Sequence, residues 1–164
     1  MGKSSLLNSL LGIPVARVSA TPGRTQGLYW YRVAESFDVV DCPGYGYAKA
    51  ARSSRELFAG LIEELLTSEP PPAAALLLVD GRLAPQDSDR SMALFLREAL
   101  VPTVVAATKW DDVKSSVRVA RRRELALEYE DPTRPLVAVS SKTGENLRQL
   151  AGLLRSRLTQ HVQE

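Results

Sequence analysis

The sequence predicts an α/β fold, a mostly parallel sheet with helices on both of its faces. Three observations predict it. Apolar runs of strand length alternate with amphipathic stretches of helical period. The segment Ala73 to Val79 is continuously apolar, as a strand covered on both faces requires. Polar motifs stand directly after strand-like segments, where such sheets carry their ligand-binding loops.

The elements follow in order. Ser4 to Leu11 opens with small polar residues and carries Leu6, Leu7, Leu10 and Leu11 as a helical stripe. Leu28 to Val33 and Phe37 to Asp41 are aromatic and β-branched, and the polar Glu35-Ser36 between them predicts an antiparallel pair. Ser53-x-x-Glu56 reads as a capping box opening a helix whose Leu57, Leu61, Ile62, Leu65 and Leu66 share a face. Pro70-Pro71-Pro72 stops that helix. After the run from Ala73 to Val79, Thr103 to Ala107 and Leu136 to Val139 predict two more buried strands. Helices around Met92 to Leu100 and Val117 to Tyr129 separate them, and a last helix carries Leu147, Leu150, Leu154 and Leu158.

With 164 residues, 45% hydrophobic and 24% charged, the chain suits a single domain over residues 1–164. Its 21 basic and 19 acidic side chains nearly balance, so bulk charge argues neither for nor against nucleic acid. Cys42 is the one cysteine, which excludes an internal disulfide and fits a reducing compartment. No basic-then-apolar leader opens the chain, and no apolar run approaches the ~20 residues of a membrane span. A cytoplasmic monomer is expected.

Five motifs carry chemistry. Gly2-Lys3-Ser4-Ser5 opens a helix. Glycine admits close approach of N–H groups to phosphate oxygens, lysine supplies charge, and the serine hydroxyl can ligate Mg²⁺. Thr21-Pro22-Gly23-Arg24-Thr25-Gln26-Gly27 is a loop able to close over a terminal phosphate, with a threonine hydroxyl for the same ion. Asp41-Cys42-Pro43-Gly44 follows a strand, where a carboxylate can hold Mg²⁺ through water and a glycine N–H can sense the γ-phosphate. Thr108-Lys109-Trp110-Asp111 offers a carboxylate for the two adjacent N–H donors of guanine, with the Lys109 stem against one face of the base. Ser140-Ser141-Lys142 offers backbone N–H groups to the guanine O6.

Singly, each motif has an ordinary reading: a polar terminus, a Pro-Gly turn, a strand-end turn, an N-cap at Asp111 or Asp112, a serine pair capping a helix. Their order along the chain makes guanine-nucleotide binding the expectation, ahead of an ATP-using enzyme. A non-catalytic interaction domain with a lapsed nucleotide site remains the alternative, because the front half of the phosphate-loop pattern does not precede Gly2.

The stretches VSATPGRTQ, DCPGYGYAK, TKWD and SSKTGEN closely resemble the EngB family of bacterial ribosome-assembly GTPases, and the similarity runs over essentially the whole chain. The resemblance implies a Ras-like fold, GTP as ligand with Mg²⁺ and a monovalent cation as cofactors, and a role in maturing the large ribosomal subunit. It implies Ser4 and Thr25 as Mg²⁺ ligands, and Lys3 as the charge that stabilises the reacting phosphates. Gly2, Lys3, Ser4 and Ser5 would hold phosphates; Gly23, Arg24, Thr25, Gln26, Gly27, Asp41, Cys42, Pro43 and Gly44 would form the switch contacts. Thr108, Lys109, Trp110 and Asp111, with Val139, Ser140 and Ser141, would hold the base.

Three departures from the family's or wider pattern stand out. Thr108 occupies the place where most GTPases have asparagine. Cys42 replaces a usual leucine, and its thiol is expected to pack as a small hydrophobe. A strand central to the Ras-like sheet, and the loop GRSNxGKS that it feeds, are represented here only from Gly2 onward. Neighbouring strands are therefore expected to expose backbone, and Met1 is expected to stand where a longer frame has a valine codon. Tyr45 follows Gly44 where many GTPases place a water-orienting glutamine, so intrinsic hydrolysis is expected to be slow.

Tyr45, Tyr47, Lys49, Arg52 and Arg55 put aromatic and basic groups on the switch side, suited to RNA. The cluster Arg118, Arg121, Arg122 and Arg123 is either a second contact or a solvated face pairing with Glu124 and Glu128. His161 is expected to lie inert in a polar tail.

Overall fold

A computed structural model describes residues 2–12, 27–33, 36–45 and 52–161, excepting the side chains of 52–57 and 160–161. The chain divides into two compact units, residues 17–72 and residues 1–16 with 73–164.

In the larger unit three parallel strands, β3 (Ala75–Asp80), β4 (Thr103–Thr108) and β5 (Leu136–Ala138), pair in the order β3-β4-β5. The register sets Leu78 beside Ala106 and Ala106 beside Val137. Alternation then sorts the strands' apolar residues between two faces. Leu78, Val104, Ala106, Val137 and Val139 form one buried cluster with Leu6 of α1 (Lys3–Leu11) and Leu150 of α5 (Leu147–His161). The alternate residues Leu77, Val79, Val105 and Ala107 are equally buried. Helices α3 (Asp87–Glu98) and α4 (Ser115–Tyr129) contact each other and strands β3 and β5 respectively. Every residue of β4 is buried, which accounts for its unbroken run of small and apolar side chains.

In the smaller unit β1 (Tyr29–Val33) and β2 (Phe37–Asp41) pair antiparallel, Tyr29 opposite Asp41, and are followed by α2 (Arg52–Leu66). No ladder joins this hairpin to the parallel sheet among the described residues.

Several boundaries differ from expectation. Helix α2 is under way at Arg52, so Ser53 lies inside its first turn instead of at the cap. It ends at Leu66, where the hydroxyls of Thr67 and Ser68 donate to Glu63 O and Leu65 O (both 2.8 Å), before the prolines are reached. Such back-bonding competes with the helix ladder. His161 closes α5 and is not part of a tail.

Candidate functional site

Parallel strands bring their carboxyl ends to one edge, and α1 shares the unit with that edge. Gly2 is the N-cap of α1, with φ −84° and ψ 40° and no side-chain cap. Its carbonyl accepts the Leu6 N–H at 2.9 Å, fixing the first turn. The amides of that turn are those a helix leaves without internal acceptors, and the dipole there favours an anion. The Ser9 hydroxyl lies 2.9 Å from Ser5 O and 3.3 Å from Ser141 O, so the helix that carries Gly2-Lys3-Ser4-Ser5 is stitched to the loop after β5.

The loop after β4 is held on several sides. Thr108 donates its hydroxyl to Val79 O at 3.1 Å and accepts the Gly81 N–H at 2.9 Å, locking the ends of β3 and β4 together. Lys109 turns the chain through the left-handed region, φ 57°, into a 3-10 turn over Trp110–Asp112. Trp110 is buried, and its N–H donates to Val139 O at 3.1 Å. From α4, Arg118 donates to Trp110 O at 2.9 Å and Val113 O at 3.1 Å, and its guanidinium stands 5.9 Å over the indole. Glu145 pairs with the same guanidinium at 3.3 Å.

On this support Asp111 meets Ser140. The Ser140 hydroxyl, fully buried, donates to Asp111 Oδ1 at 2.6 Å. Ser140 Oγ in turn accepts the backbone N–H groups of Lys142 (3.2 Å) and Thr143 (3.1 Å). That hydrogen bond holds the Asp111 carboxyl below the usual carboxylate range, against the opposing effect of burial. An ionised carboxylate fixed in this way suits two adjacent N–H donors on a planar ring. The capping alternatives fall away: Lys114 is the N-cap of α4, and α5 begins only at Leu147.

Lys109 Nζ lies 3.3 Å from Asp80 Oδ2, and Arg82 grips both Asp80 oxygens at 2.9 and 2.8 Å. Burial alone would raise the Asp80 carboxyl; the Arg82 side chain and N–H, and Lys109, outweigh it and bring it to about 2. Asp80, Gly81, Arg82 and Asn146 belong to the site without any motif that marks them, and Arg118 supports it in a role its basic cluster does not suggest. Asn146, at φ 58°, donates its amide to Ala138 O at 2.8 Å and closes the loop after β5. Asp80-Gly81 directly after an apolar run was the one available signal.

In the smaller unit Asp41 is buried at the end of β2. Cys42 is half-buried, its thiol 3.8 Å from Val40 O, which is less enclosed than a core position. The Tyr45 ring packs on Phe58, centroids 6.5 Å apart. Gly27 precedes β1 and is half-buried, whereas Gly23, Arg24, Thr25, Gln26, Tyr47 and Lys49 lie outside the described residues, as do the side chains of Arg52 and Arg55.

The basic helix is partly a self-paired surface. Arg121 meets Glu124 at 2.7 Å, as the solvated-face reading has it. Arg122, however, takes Glu130 and Leu136 O, and Glu128 pairs with Arg90.

A family model described as 50S ribosome-binding GTPase matches residues 1–109. Fold and family together define a P-loop GTPase domain. A curated relative named "Probable GTP-binding protein EngB", from Thermotoga maritima, is 37% identical over 164 residues, covering 98% of this chain and 83% of that protein. A crystal structure described as a probable GTP-binding protein engB superposes with a TM-score of 0.78 at 25% identity, covering 97% of this chain and 94% of that one. Era in complex with MgGDPNP and a 16S ribosomal RNA segment shares the fold, with a TM-score of 0.70 at 23% identity over 93% of this chain and 51% of that one. The chain belongs to the EngB family of GTP-binding proteins. No helix among the described residues is long and apolar enough to cross a membrane.

Proposed function

We propose that this chain is a guanine-nucleotide switch that hydrolyses GTP slowly and acts on the large ribosomal subunit during its assembly. The observation that carries the nucleotide reading is the Ser140–Asp111 hydrogen bond of 2.6 Å, which holds an ionised carboxylate beside the left-handed Lys109. In this reading Asp111 accepts the guanine N1–H and amino group, the Lys109 stem covers a face, and Val139 to Ser141 border the O6. Adenine lacks that donor pair and would leave the carboxylate unsatisfied. Gly2 to Ser5 receive the phosphates at the start of α1, with Lys3 countering their charge.

Among the described residues no cluster of His, Cys, Asp or Glu forms a metal cage. A magnesium ion would rest on the Ser4 hydroxyl, phosphate oxygens and water, the donor set this hard cation prefers. Ser4 in the first turn of α1 fits that demand; Thr25 and the loop from Gly23 to Gly27 would complete it. When bound, the ion neutralises charge between the outer phosphates. Asp41 to Gly44 would sense the γ-phosphate. Tyr45 offers no amide to orient water, which supports slow turnover without a partner. The ribosomal role is supported by the matched family's description.

The test is a titration with fluorescent GDP, competed by GTP and by ATP, and repeated for Asp111→Asn with xanthosine diphosphate. Displacement by GTP alone, and a swing toward xanthine in the variant, is expected. Equal displacement by ATP would overturn the base assignment. Absence of any binding would favour the interaction-domain alternative.

A further inference from the structure

At the opposite end of the parallel sheet, where β4 starts at Thr103, lies a cavity of about 290 Å³. Three arginines from three elements line it: Arg97 at the end of α3, Arg134 just before β5, and Arg157 of α5. We infer that this cavity is a second, phosphate-binding site that takes a backbone phosphate of structured RNA between Arg97 and Arg157.

The charges do not cancel within the cavity. Asp131 is its one carboxylate, and it is already engaged by the Thr133 N–H (2.9 Å), the Thr133 hydroxyl (2.7 Å) and the Arg134 N–H (2.9 Å). Arg134 also pairs with it at 3.3 Å and spends other donors on Tyr129 O and Ala93 O. Arg134 and Asp131 thus form a closed structural pair. Arg157 donates one N–H to Thr133 O at 2.8 Å, which orients its guanidinium, and no carboxylate pairs with it among the described residues. The Arg97 guanidinium makes no hydrogen bond or ion pair among the described residues. Two guanidinium groups lining one concavity, with no carboxylate partner among the described residues, suit a phosphate.

The rim adds a second, independent observation. Leu100 closes α3 in a Schellman arrangement, Leu100 N–H to Arg97 O and Val101 N–H to Leu96 O, each 3.0 Å. That position asks for glycine, yet Leu100 holds φ 56° and leaves its side chain 87% exposed. A leucine kept at positive φ with its side chain in solvent carries a backbone cost that contact with a partner would offset. A phosphate flanked by a ribose or base would cover Leu100, which a bare anion would not. Helix α5 also carries Arg148, Arg155 and Arg157 and no acidic residue from Leu147 to His161, favouring an extended polyanion.

The inference rests on the ribosomal partner of the proposed function, and the experiment separates the two. The full chain, Arg97→Ala, Arg157→Ala and Leu100→Gly are each titrated with fluorescent GDP, with purified 50S subunits at several salt concentrations, and with a short RNA hairpin. Each arginine variant is expected to keep its GDP affinity, lose about tenfold in 50S and hairpin affinity, and lose about one unit of the salt slope. Leu100→Gly is expected to melt a few degrees higher and still bind RNA more weakly, which a purely structural role would not produce. Unchanged 50S and hairpin binding in all three variants would overturn the site and leave the ribosomal partner standing. Failure of the parent to bind 50S while it binds the hairpin through Arg97 would remove the ribosome and keep the site. Binding of neither removes both. Competition by inorganic phosphate as strong as by the hairpin would mark a free-anion site and overturn the RNA assignment.

Discussion

Gly81 and Trp110 are complementary in shape: a Cβ at Gly81 would stand 2.9 Å from Cε3 of the indole and 2.8 Å from the carbonyl oxygen of Thr108. The obstruction is half backbone, and that backbone oxygen already accepts the Gly81 N–H. A flexible side chain could swing aside; a buried indole clamped by Arg118 cannot. Gly81→Ala is therefore expected to cost about 1–3 kcal/mol as an overpacked site. It should also loosen the turn that presents Asp111. Thermal melting and GDP titration of the variant check this, and an unchanged melting temperature would mean that the loop after β4 is not held as described.

Ser140 is the next point of leverage, because one buried hydroxyl serves three partners. Ser140→Ala removes the donor to Asp111 and the acceptor for two loop amides. The Asp111 carboxyl should then drift up toward its ordinary range. The expected result is a loss of at least about tenfold in GDP affinity, from one charge-assisted hydrogen bond and the order it imposes. GDP binding by the variant should also fail at a higher pH than in the parent, since the carboxylate protonates sooner. A pH series of titrations reads both effects.

Asp80 links the site to acid stability. Its folded-state carboxyl titrates at about 2 against an ordinary 3.8. A depressed carboxyl stabilises the fold above the unfolded value, and that contribution fades as pH falls through the folded one. The shift corresponds to about 2 kcal/mol, present in full at neutral pH and lost between roughly pH 4 and pH 2. Asp80→Asn should therefore be less stable than the parent at pH 7, and the gap should shrink as the pH falls from 4 toward 2. Urea denaturation at both ends of that range measures it.

The legible parts of this protein were those written in contiguous residues. The run from Ala73 to Val79 and the alternation around Glu35-Ser36 carry their own burial pattern, so β2, β3 and their neighbours could be placed from composition and period. The base-side motifs were legible because loops after parallel strands share an edge. Partnerships that depend on how a chain turns back or on which strands are neighbours were not. Arg118 reads as a member of a basic cluster, and no sequence pattern says that it reaches back five and eight residues to the Val113 and Trp110 carbonyls. Asp80 precedes Lys109 by a helix and a strand, and their contact exists only because β3 and β4 are neighbours. Cap positions failed for a different reason: Ser53 and Glu56 fit a capping box in isolation, but the helix starts one residue sooner.

The basic residues of α4 should separate cleanly under mutation. Arg118 donates to two carbonyls, pairs with Glu145 and lies over an indole, all around the turn that carries Asp111. Arg118→Ala would take the side-chain donor from the Val113 carbonyl and one of two donors from the Trp110 carbonyl, and would uncover the ring. The expected cost is about 1–3 kcal/mol of stability, with weaker GDP binding because the turn loses its outer clamp. Arg123 is exposed on the same helix, and its side chain makes no hydrogen bond or ion pair among the described residues. Arg123→Ala should change stability by less than about 0.5 kcal/mol and leave GDP affinity intact. Arg121 should behave like Arg123 more than like Arg118, since its pair with Glu124 is a solvated i,i+3 contact on a helix surface. Equal losses for all three would show that charge density along α4, and not the Arg118 clamp, supports the site.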